Sequence, residues 1–331
     1  MLASVTEEVG RTLGPLSGLS EHRAVPEPNF FIVGAAKAGT TSLYEYLRQH
    51  PDVFMPDAKE PWHFCGLPDP APACATPYSD LDAYLGLFGG AGACRAIGEA
   101  SVSYLTSPSA ASRIYERYPK ARIIIVLRNP ADRVYSWYNF LCQYGVEPGQ
   151  SLERALEEED RRKAIALQRR DTWFVDECIT YFHFGLIASH VERFVRRFPK
   201  TQIHVALFED LKACPLETTR GVFEFLDVDP AFTPRTSKVH NPTWFPLSIA
   251  LQHQVASRSR LHPFLPSRGP IRFFDRAVAP AICWANAVLG QTRKRTFAPS
   301  TRRALLNRYR DDIRRTEELV GRSLQGWLKD V

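Results

Sequence analysis

The chain has 331 residues, 44% of them hydrophobic and 24% charged, and this composition is ordinary for a soluble globular protein. Its 42 Lys and Arg against 36 Asp and Glu give a net charge of +6, which is too small to predict nucleic-acid binding but suits a small anionic ligand. The seven cysteines show no C-x-x-C spacing and the nine histidines form no cluster, so the sequence predicts neither a disulfide framework nor a metal site.

The N-terminal segment, residues 1–28, lacks the basic and apolar regions of a signal peptide, and we interpret it as an extension. The apolar run from Ala279 to Leu289 is too short to span a membrane. We therefore expect a cytoplasmic protein with one main domain over 29–331 that ends in a helical part.

The first predicted unit is a strand, a loop and a helix over Phe30–Arg48. An apolar run typical of a buried strand leads into a loop bounded by Gly34 and Gly39, and a helical pattern follows. The amides of such a loop converge with the positive end of the helix dipole, so the unit predicts an anion-binding site. The predicted contact residues are Lys37, Ala38, Gly39, Thr40, Thr41 and Ser42.

The position of the lysine indicates which anion this loop binds. A Walker A loop has its lysine directly after the second glycine, followed by a hydroxyl that binds Mg²⁺. Here Thr40 occupies that place and Lys37 lies inside the loop, which argues against a γ-phosphate and metal site. The segment resembles the 5′-phosphosulfate loop of sulfotransferases that use PAPS (3′-phosphoadenosine 5′-phosphosulfate). The alternative is a tight strand–helix turn without a ligand.

A second motif, Lys59–Phe64 with the sequence K-E-P-W-H-F, follows a short strand predicted within His50–Met55. It resembles the K-E-x-x-x-F element of carbohydrate-type and bacterial sulfotransferases, whose glutamate is the catalytic base. The resemblance implies that Glu60 deprotonates the acceptor, and His63 is the competitor because imidazole titrates near neutral pH. The alternative is a surface Lys–Glu pair beside a buried aromatic plug.

The next predicted elements are a helix over 80–88 and a strand over Cys94–Ile97, followed by a predicted helix over Ser109–Tyr118. Between the last two, Gly98–Leu105 resembles the sulfotransferase segment G-E-x-S-P-x-Y, which lies beside the acceptor site. Val102 replaces the usual proline of that segment.

The clearest buried strand, Ile123–Leu127, is followed at once by Arg128 and by a helix that opens at Pro130. Open α/β sheets bind ligands at the carboxyl ends of their strands, where Arg128 and the hydroxyl of Ser136 can both contact a phosphate. The run V-L-R-N-P-x-x-R-x-x-S resembles the 3′-phosphate signature of sulfotransferases. The alternative is a simple ion pair between Arg128 and Asp132.

The remaining chain is predicted to be mainly helical, except for residues 228–275, which are rich in proline and predict no clear element. The predictions are helices over Leu152–Arg170 (charged and solvent-facing), Phe184–Phe198, Thr218–Leu226 and Thr301–Leu328, and a strand over Gln202–Leu207. Arg293–Arg295 lies where related enzymes carry a basic loop over the cofactor, although a solvated charge run is an equal alternative. The acceptor pocket is expected from the loops at 65–79, 140–180 and 228–275.

The alternation of strands and helices predicts an α/β fold, a P-loop-like three-layer sandwich with a mostly parallel central sheet and helices on both faces. The resemblance implies a PAPS-dependent sulfotransferase that needs no metal and acts on a hydroxyl or amine of a small-molecule, glycan or lipid acceptor. One alternative is a kinase or NTPase with a degenerate loop, which would need a Mg²⁺-binding carboxylate where the chain has Arg128. The other alternative is a non-catalytic nucleotide-binding protein.

Overall fold

The computed structural model describes residues 26–66, 78–147, 151–167, 180–237, 246–260, 279–290 and 297–329. Its centre is a five-stranded sheet with the order β2-β3-β1-β4-β5, in which all neighbouring strands are parallel. The strands are β1 (Phe30–Gly34), β2 (Val53–Phe54), β3 (Ala96–Ala100), β4 (Arg122–Leu127) and β5 (Ile203–Leu207). The predicted α/β class with a parallel sheet is confirmed.

The helices of these ranges flank the sheet and make up the C-terminal part. In chain order they are α1 (Thr40–Leu47), α2 (Leu81–Gly86), α3 (Ala110–Arg117), α4 (Pro130–Gln143), α5 (Leu152–Glu157), α6 (Glu159–Leu167), α7 (Tyr181–Gly185), α8 (Ala188–Val195), α9 (Phe208–Ala213), α10 (Pro215–Leu226), α11 (Ile249–Arg260), α12 (Ala279–Gly290) and α13 (Pro299–Val320).

The central strands bring the two predicted anion-binding motifs side by side. β1 is buried along its whole length, as expected of a parallel strand covered on both faces. It pairs with β4 in a register that places Ile32 beside Ile124, and the Ala35 amide donates to the Val126 carbonyl at 2.7 Å. The loops that follow β1 and β4 therefore leave the same edge of the sheet.

The C-terminal helix α13 is packed into the molecule by both aromatic and polar contacts. Tyr309 is fully buried and its ring stacks on Phe182 with 4.8 Å between centroids. The Asp312 carboxylate accepts the amides of Ile187 and Ala188 at 2.8 and 3.1 Å, which caps the start of α8. This cap also explains why the single helix predicted over Phe184–Phe198 is two helices, α7 and α8.

Two further predictions of element boundaries are wrong. The strand predicted to stop at Ile97 continues to Ala100 because Gly98 and Ala100 pair with β1. The helix predicted over Leu152–Arg170 is divided at Glu158 into α5 and α6 within the described residues. Glu159 is buried and accepts amides at the start of α7, so this part of the chain does not simply face solvent.

The last predicted helix is shorter than expected, and one further helix lies where the sequence predicts no clear element. α13 ends at Val320, where Gly321 adopts a left-handed conformation, and a short 3₁₀ turn over Gln325–Leu328 follows. Within residues 228–275, α11 is a regular helix.

No helix in the ranges given above is both long and apolar enough to cross a membrane. Over the same ranges no group of potential ligand side chains could hold a metal ion. The cytoplasmic location and the domain boundary at residue 29 stay predictions. The cysteines that the structure describes are free thiols, namely Cys65, Cys94, Cys142, Cys214 and Cys283.

Candidate active site

The loop between β1 and α1 has the geometry of an anion cradle. Gly39 lies at φ +86°, and a Cβ there would meet the Phe208 ring at 2.9 Å, so only glycine fits. Helix α1 begins at Thr40 and its first backbone bond runs from Leu43 to Gly39 at 3.2 Å. The amides that precede Leu43 point out of the helix end, toward the place where an anion would lie.

Lys37 is a partly buried cation in this loop. Its backbone is left-handed at φ 64°, and its Nζ lies 4.3 Å from the centroid of the Phe140 ring. Burial lowers the pKa of Lys37 to about 8, and the nearby charges of Arg128 and Lys59 add to the decrease. No carboxylate in the part of the chain that the structure describes pairs with Lys37. A bound anion would supply the missing negative charge.

Arg128 is a second cation of the same kind at the end of β4. Its Nη1 donates to the Lys37 carbonyl at 2.9 Å, and its guanidinium lies 4.4 Å from the centroid of the Phe208 ring. Burial lowers the pKa of Arg128. Asp132 instead forms a two-pronged ion pair with Arg302 at 3.0 and 3.2 Å. The simple Arg128–Asp132 pair considered from the sequence is therefore absent.

Ser136 lies two turns into α4, whose start is capped by the Asn129 side chain. It is only 4% exposed and lies one turn before Phe140 on the same helix. A serine hydroxyl is a hydrogen-bond donor, as a phosphate contact requires.

Glu60 is fixed by hydrogen bonds to both carboxylate oxygens. Its backbone is left-handed at φ 62°, and its amide donates to the Ala100 carbonyl at 3.0 Å. Oε2 accepts the Val102 amide at 2.8 Å and the Trp62 indole at 2.9 Å, while Oε1 accepts Lys59 Nζ at 2.5 Å. A carboxylate oxygen has about two acceptor sites, so Oε1 is the oxygen with room for another proton donor.

His63 belongs to a different set of contacts. Its Nδ1 lies 2.8 Å from the Tyr78 carbonyl, and its ring stacks on Tyr84 with centroids 4.4 Å apart. Burial lowers the pKa of His63 against the opposing effect of the Tyr78 bond, and Arg113 adds to the decrease. The structure thus separates the two predicted bases, because Glu60 alone touches the cation Lys59 that lies near Lys37.

An aromatic face lies along the end of α4 and on Tyr144, which follows it. Phe140 and Tyr144 fall within the 140–180 segment expected to contribute to the acceptor pocket, but the sequence analysis did not predict this face. The Phe140 ring, over which Lys37 Nζ lies, stacks on Trp137 at 5.2 Å and contacts Tyr144 at 4.6 Å. Tyr144 is 62% exposed, so the face runs from the lysine to the surface. The spacing of four residues from Ser136 to Phe140 and Tyr144 was the available signal.

Other predicted contributors lie outside the described residues. They are the basic run Arg293–Arg295 and, in the loops expected to form the acceptor pocket, residues 67–77, 148–150, 168–179, 238–245 and 261–275.

The structure brings Lys37, Arg128 and Glu60 into one region: Arg128 donates to the Lys37 carbonyl, and Lys59, which pairs with Glu60, lies near enough to Lys37 to lower its pKa. Ser136 lies on α4, one turn before the Phe140 ring that Lys37 Nζ contacts. These residues can hold two separate anionic groups next to a proton acceptor.

Comparison with known proteins identifies the family to which the chain belongs. Residues 27–241 match the family model described as a sulfotransferase domain. The chain is 24% identical over 288 residues to the membrane-associated sulfotransferase kil1 of Dictyostelium discoideum, an alignment covering 65% of this chain and 60% of that protein. It is 29% identical over 217 residues to the human bifunctional heparan sulfate N-deacetylase/N-sulfotransferase 3, covering 62% of this chain and 23% of that protein.

A solved structure extends the likeness to most of the chain. The crystal structure of a sulfotransferase from Alicyclobacillus acidocaldarius superposes with a TM-score of 0.67 at 30% identity, covering 92% of this chain and 100% of that one. The chain spans less than two thirds of the length of the two curated relatives named above. The family match over most of the chain shows that this protein belongs to the sulfotransferase family.

Proposed function

We propose that this sulfotransferase uses PAPS as its sulfuryl donor and transfers the group to a hydroxyl or amine of a small-molecule, glycan or lipid acceptor. The observation that carries the proposal is the pair of partly buried cations, Lys37 and Arg128, which follow adjacent strands and form no salt bridge with a carboxylate among the described residues. Two such cations suit a ligand with two separated anionic ends.

The residues present fit PAPS. Lys37, the loop over 38–39 and the first turn of α1 would hold the 5′-phosphosulfate, and Arg128 with Ser136 would hold the 3′-phosphate. The glycine required at position 39 lets the loop backbone approach an anion closely. Bound PAPS supplies an activated sulfuryl group on a phosphate leaving group.

Two side chains of this protein then act on the acceptor and on the leaving group. Glu60 takes the acceptor proton at Oε1, because Oε2 already accepts the Val102 amide and the Trp62 indole. Lys37 is positioned to offset the negative charge that develops on the leaving oxygen. These roles use side-chain cations and backbone amides, so we expect turnover in the presence of EDTA.

Two observations bear on the acceptor. One relative named above is a bifunctional heparan sulfate N-deacetylase/N-sulfotransferase. Its name supports a glycan acceptor for this chain and an amine as one possible attacking group. The aromatic face formed by Phe140 and Tyr144 beside Lys37 supports an acceptor that presents an apolar surface next to its nucleophile. Sugar rings, lipids and aromatic small molecules all satisfy that condition.

The test is a mass-spectrometric assay for protein-dependent gain of SO₃ from PAPS by a panel of acceptors, with EDTA present. Glu60→Gln keeps the shape of the base and removes its proton acceptor, so we expect turnover to fall by ~10²-fold or more with PAP affinity unchanged. PAP is the desulfated cofactor. His63→Asn, the matched change in the same motif, should have a smaller effect. A dead His63→Asn enzyme beside an active Glu60→Gln enzyme would assign the base to His63.

A further inference from the structure

The buried carboxylate of Glu99 is the centre of a hydroxyl network next to the proposed base. Glu99 is 0% exposed. Its Oε1 accepts the hydroxyls of Tyr104 at 2.6 Å and Tyr84 at 3.1 Å, and its Oε2 accepts that of Ser101 at 2.8 Å. Tyr84 is also the residue on whose ring His63 stacks. One carboxylate therefore orients three hydroxyl groups.

Two of those hydroxyls bind the backbone of the segment Lys59–Phe64, which carries the base. Ser101 Oγ accepts the Trp62 amide at 3.2 Å, and the Tyr104 hydroxyl accepts the Phe64 amide at 3.3 Å. Because Ser101 and Tyr104 each use their single proton toward Glu99, their lone pairs face the Lys59–Phe64 backbone. The network thus connects Glu99 to the segment through two separate bridges.

The backbone of Ala100 and Val102, on either side of Ser101, contacts Glu60 directly. The Val102 amide donates to Glu60 Oε2, and the Glu60 amide donates to the Ala100 carbonyl. The segment pattern G-E-x-S-P-x-Y has a proline at the position of Val102, and a proline has no N–H to donate. This contact with Oε2 is therefore made possible by the residue that this chain carries there.

The backbone of the base segment needs such support. Glu60 and Trp62 lie at φ 62° and 57°, in the left-handed region that residues other than glycine rarely adopt. Surrounding contacts must hold a backbone of this kind in place.

We propose that the segment Glu99–Tyr104 positions Glu60 for proton abstraction, with the Val102 amide fixing Oε2 and Glu99 holding Ser101 and Tyr104 against the base segment. This inference rests on the proposed role of Glu60 as the base. Glu99 and Val102 are positioning residues in this scheme, because they act on the reaction through Glu60.

Val102→Pro removes the amide donor with little other change. Val102 opens a 3₁₀ turn, where proline is tolerated, and Ser101 before it is extended at φ −128° and ψ 103°, as a residue preceding proline should be. Loss of a hydrogen bond to a charged group should lower kcat by about 10- to 100-fold and leave PAP affinity unchanged. Val102→Ala keeps the amide and is the matched control, with kcat expected within about twofold of wild type.

Glu99→Gln tests the network from its other end. The amide keeps the shape but has a single acceptor oxygen, so it cannot accept the protons of both Ser101 and Tyr104. One of the two bridges to the Lys59–Phe64 backbone should therefore loosen, and kcat should fall by about tenfold or more. Thr316→Val is the control for a general loss of stability. Thr316 is equally buried on α13 and its hydroxyl donates to the Asp312 carbonyl at 2.7 Å, yet its loss should leave kcat unchanged.

A double-mutant cycle separates positioning from a merely structural role. In a Glu60→Gln background, Val102→Pro and Glu99→Gln should lower the remaining turnover by less than about twofold, since the group they position is already gone. Full additive losses, or single variants with wild-type kcat, would overturn the inference. A Glu60→Gln enzyme with normal turnover would refute the proposed base instead, so the two failures are distinguishable.

A crystal structure of each single variant with PAP gives a second readout that needs no acceptor. The inference requires the Glu60 carboxylate to move from its place in the wild-type protein when either positioning contact is removed. An unmoved carboxylate in either variant would overturn the positioning role given to the residue changed in that variant.

Discussion

At Lys37 the demands of the site and of the fold oppose each other. Burial lowers the pKa of this amine from 10.5 to about 8, so at pH 7 the folded protein holds a charged group that the unfolded chain holds more easily. The resulting cost is present below pH 8 and is relieved as the pH rises from about 8 to about 10.5. A group retained at such a cost fits a functional role.

Lys37→Met should therefore stabilise the fold while it impairs the site. We expect the free energy of unfolding at pH 7 to rise by roughly 1–3 kcal/mol in urea denaturation, and PAP binding measured by calorimetry to weaken. Lys120→Met, at an exposed lysine, is the control and should change neither quantity by much. A Lys37→Met protein less stable than wild type would contradict the account of this residue.

Glu99 shows the opposite sign of pKa shift. Burial raises the pKa of the Glu99 carboxyl to about 7 against the lowering effect of its hydroxyl donors, and nearby Glu60 adds to the increase. The folded protein then binds more protons than the unfolded chain between pH 4.5 and pH 7, so this group's contribution is present below that window and is lost as the pH rises through it.

The difference in free energy of unfolding between wild type and Glu99→Gln isolates this contribution. Wild type should lose roughly 2–3 kcal/mol relative to the variant between about pH 4.5 and about pH 8, because other titrating groups cancel in the difference. Urea denaturation at both pH values measures it. A difference that stays constant with pH, or that changes in favour of wild type as the pH rises, would contradict the raised pKa of Glu99.

The sequence predicted the charged side chains at this scale and missed the groups that orient them. Lys37, Glu60 and Arg128 belong to recognisable patterns. The Val102 amide and the Trp62 indole are donors that no motif records, because backbone amides are common to nearly all residues and their direction depends on the folded chain.

Among the elements, α4 serves both sides of the proposed site. Ser136, near its start, faces the cofactor in our proposal, whereas Phe140 and the exposed Tyr144 lead from Lys37 to the surface. One rigid helix thus sets the distance between the donor and the acceptor regions.

Two substitutions, one on this helix and one at the residue that follows it, should give opposite kinetic patterns. Ser136→Ala should weaken PAP binding with little change in acceptor KM, because it removes a phosphate contact. Tyr144→Ala should raise acceptor KM by roughly 3- to 30-fold and leave PAP affinity unchanged, as expected for loss of an aromatic contact. Steady-state kinetics and calorimetry give both numbers. If Tyr144→Ala leaves acceptor KM unchanged, the aromatic face does not bind the acceptor.

Elements with their own apolar run could be predicted, and those shaped by distant partners could not. β1 and β4 were evident because continuous apolar residues indicate a strand buried on both faces. The break between α5 and α6 lies beside Glu159, whose carboxylate caps α7 more than twenty residues later in the chain. Contacts of that kind leave no periodic signal.

In the whole molecule, the C-terminal part contacts the segment after β4 that contains Arg128. Trp327 accepts the Asn129 side-chain amide at 3.3 Å, and Arg302 of α13 pairs with Asp132. Each contact joins the segment after β4 to a residue beyond 241, where the family match ends. Asp132 forms its ion pair with Arg302 and not with Arg128, whose guanidinium makes no salt bridge among the described residues.

The central claim is that one ligand with a 5′ and a 3′ anionic end binds across the two motifs, and calorimetry with PAP in the presence of EDTA tests it most directly. PAP should bind without divalent metal and more tightly than adenosine 5′-phosphate or ATP. Arg128→Ala should lower the affinity for PAP by about tenfold or more. It should also reduce the ratio of the affinity for PAP to that for adenosine 5′-phosphate. Arg95→Ala, at an exposed ion pair with Asp227, should bind as wild type does. Binding of ATP that requires Mg²⁺ and exceeds that of PAP would contradict the account.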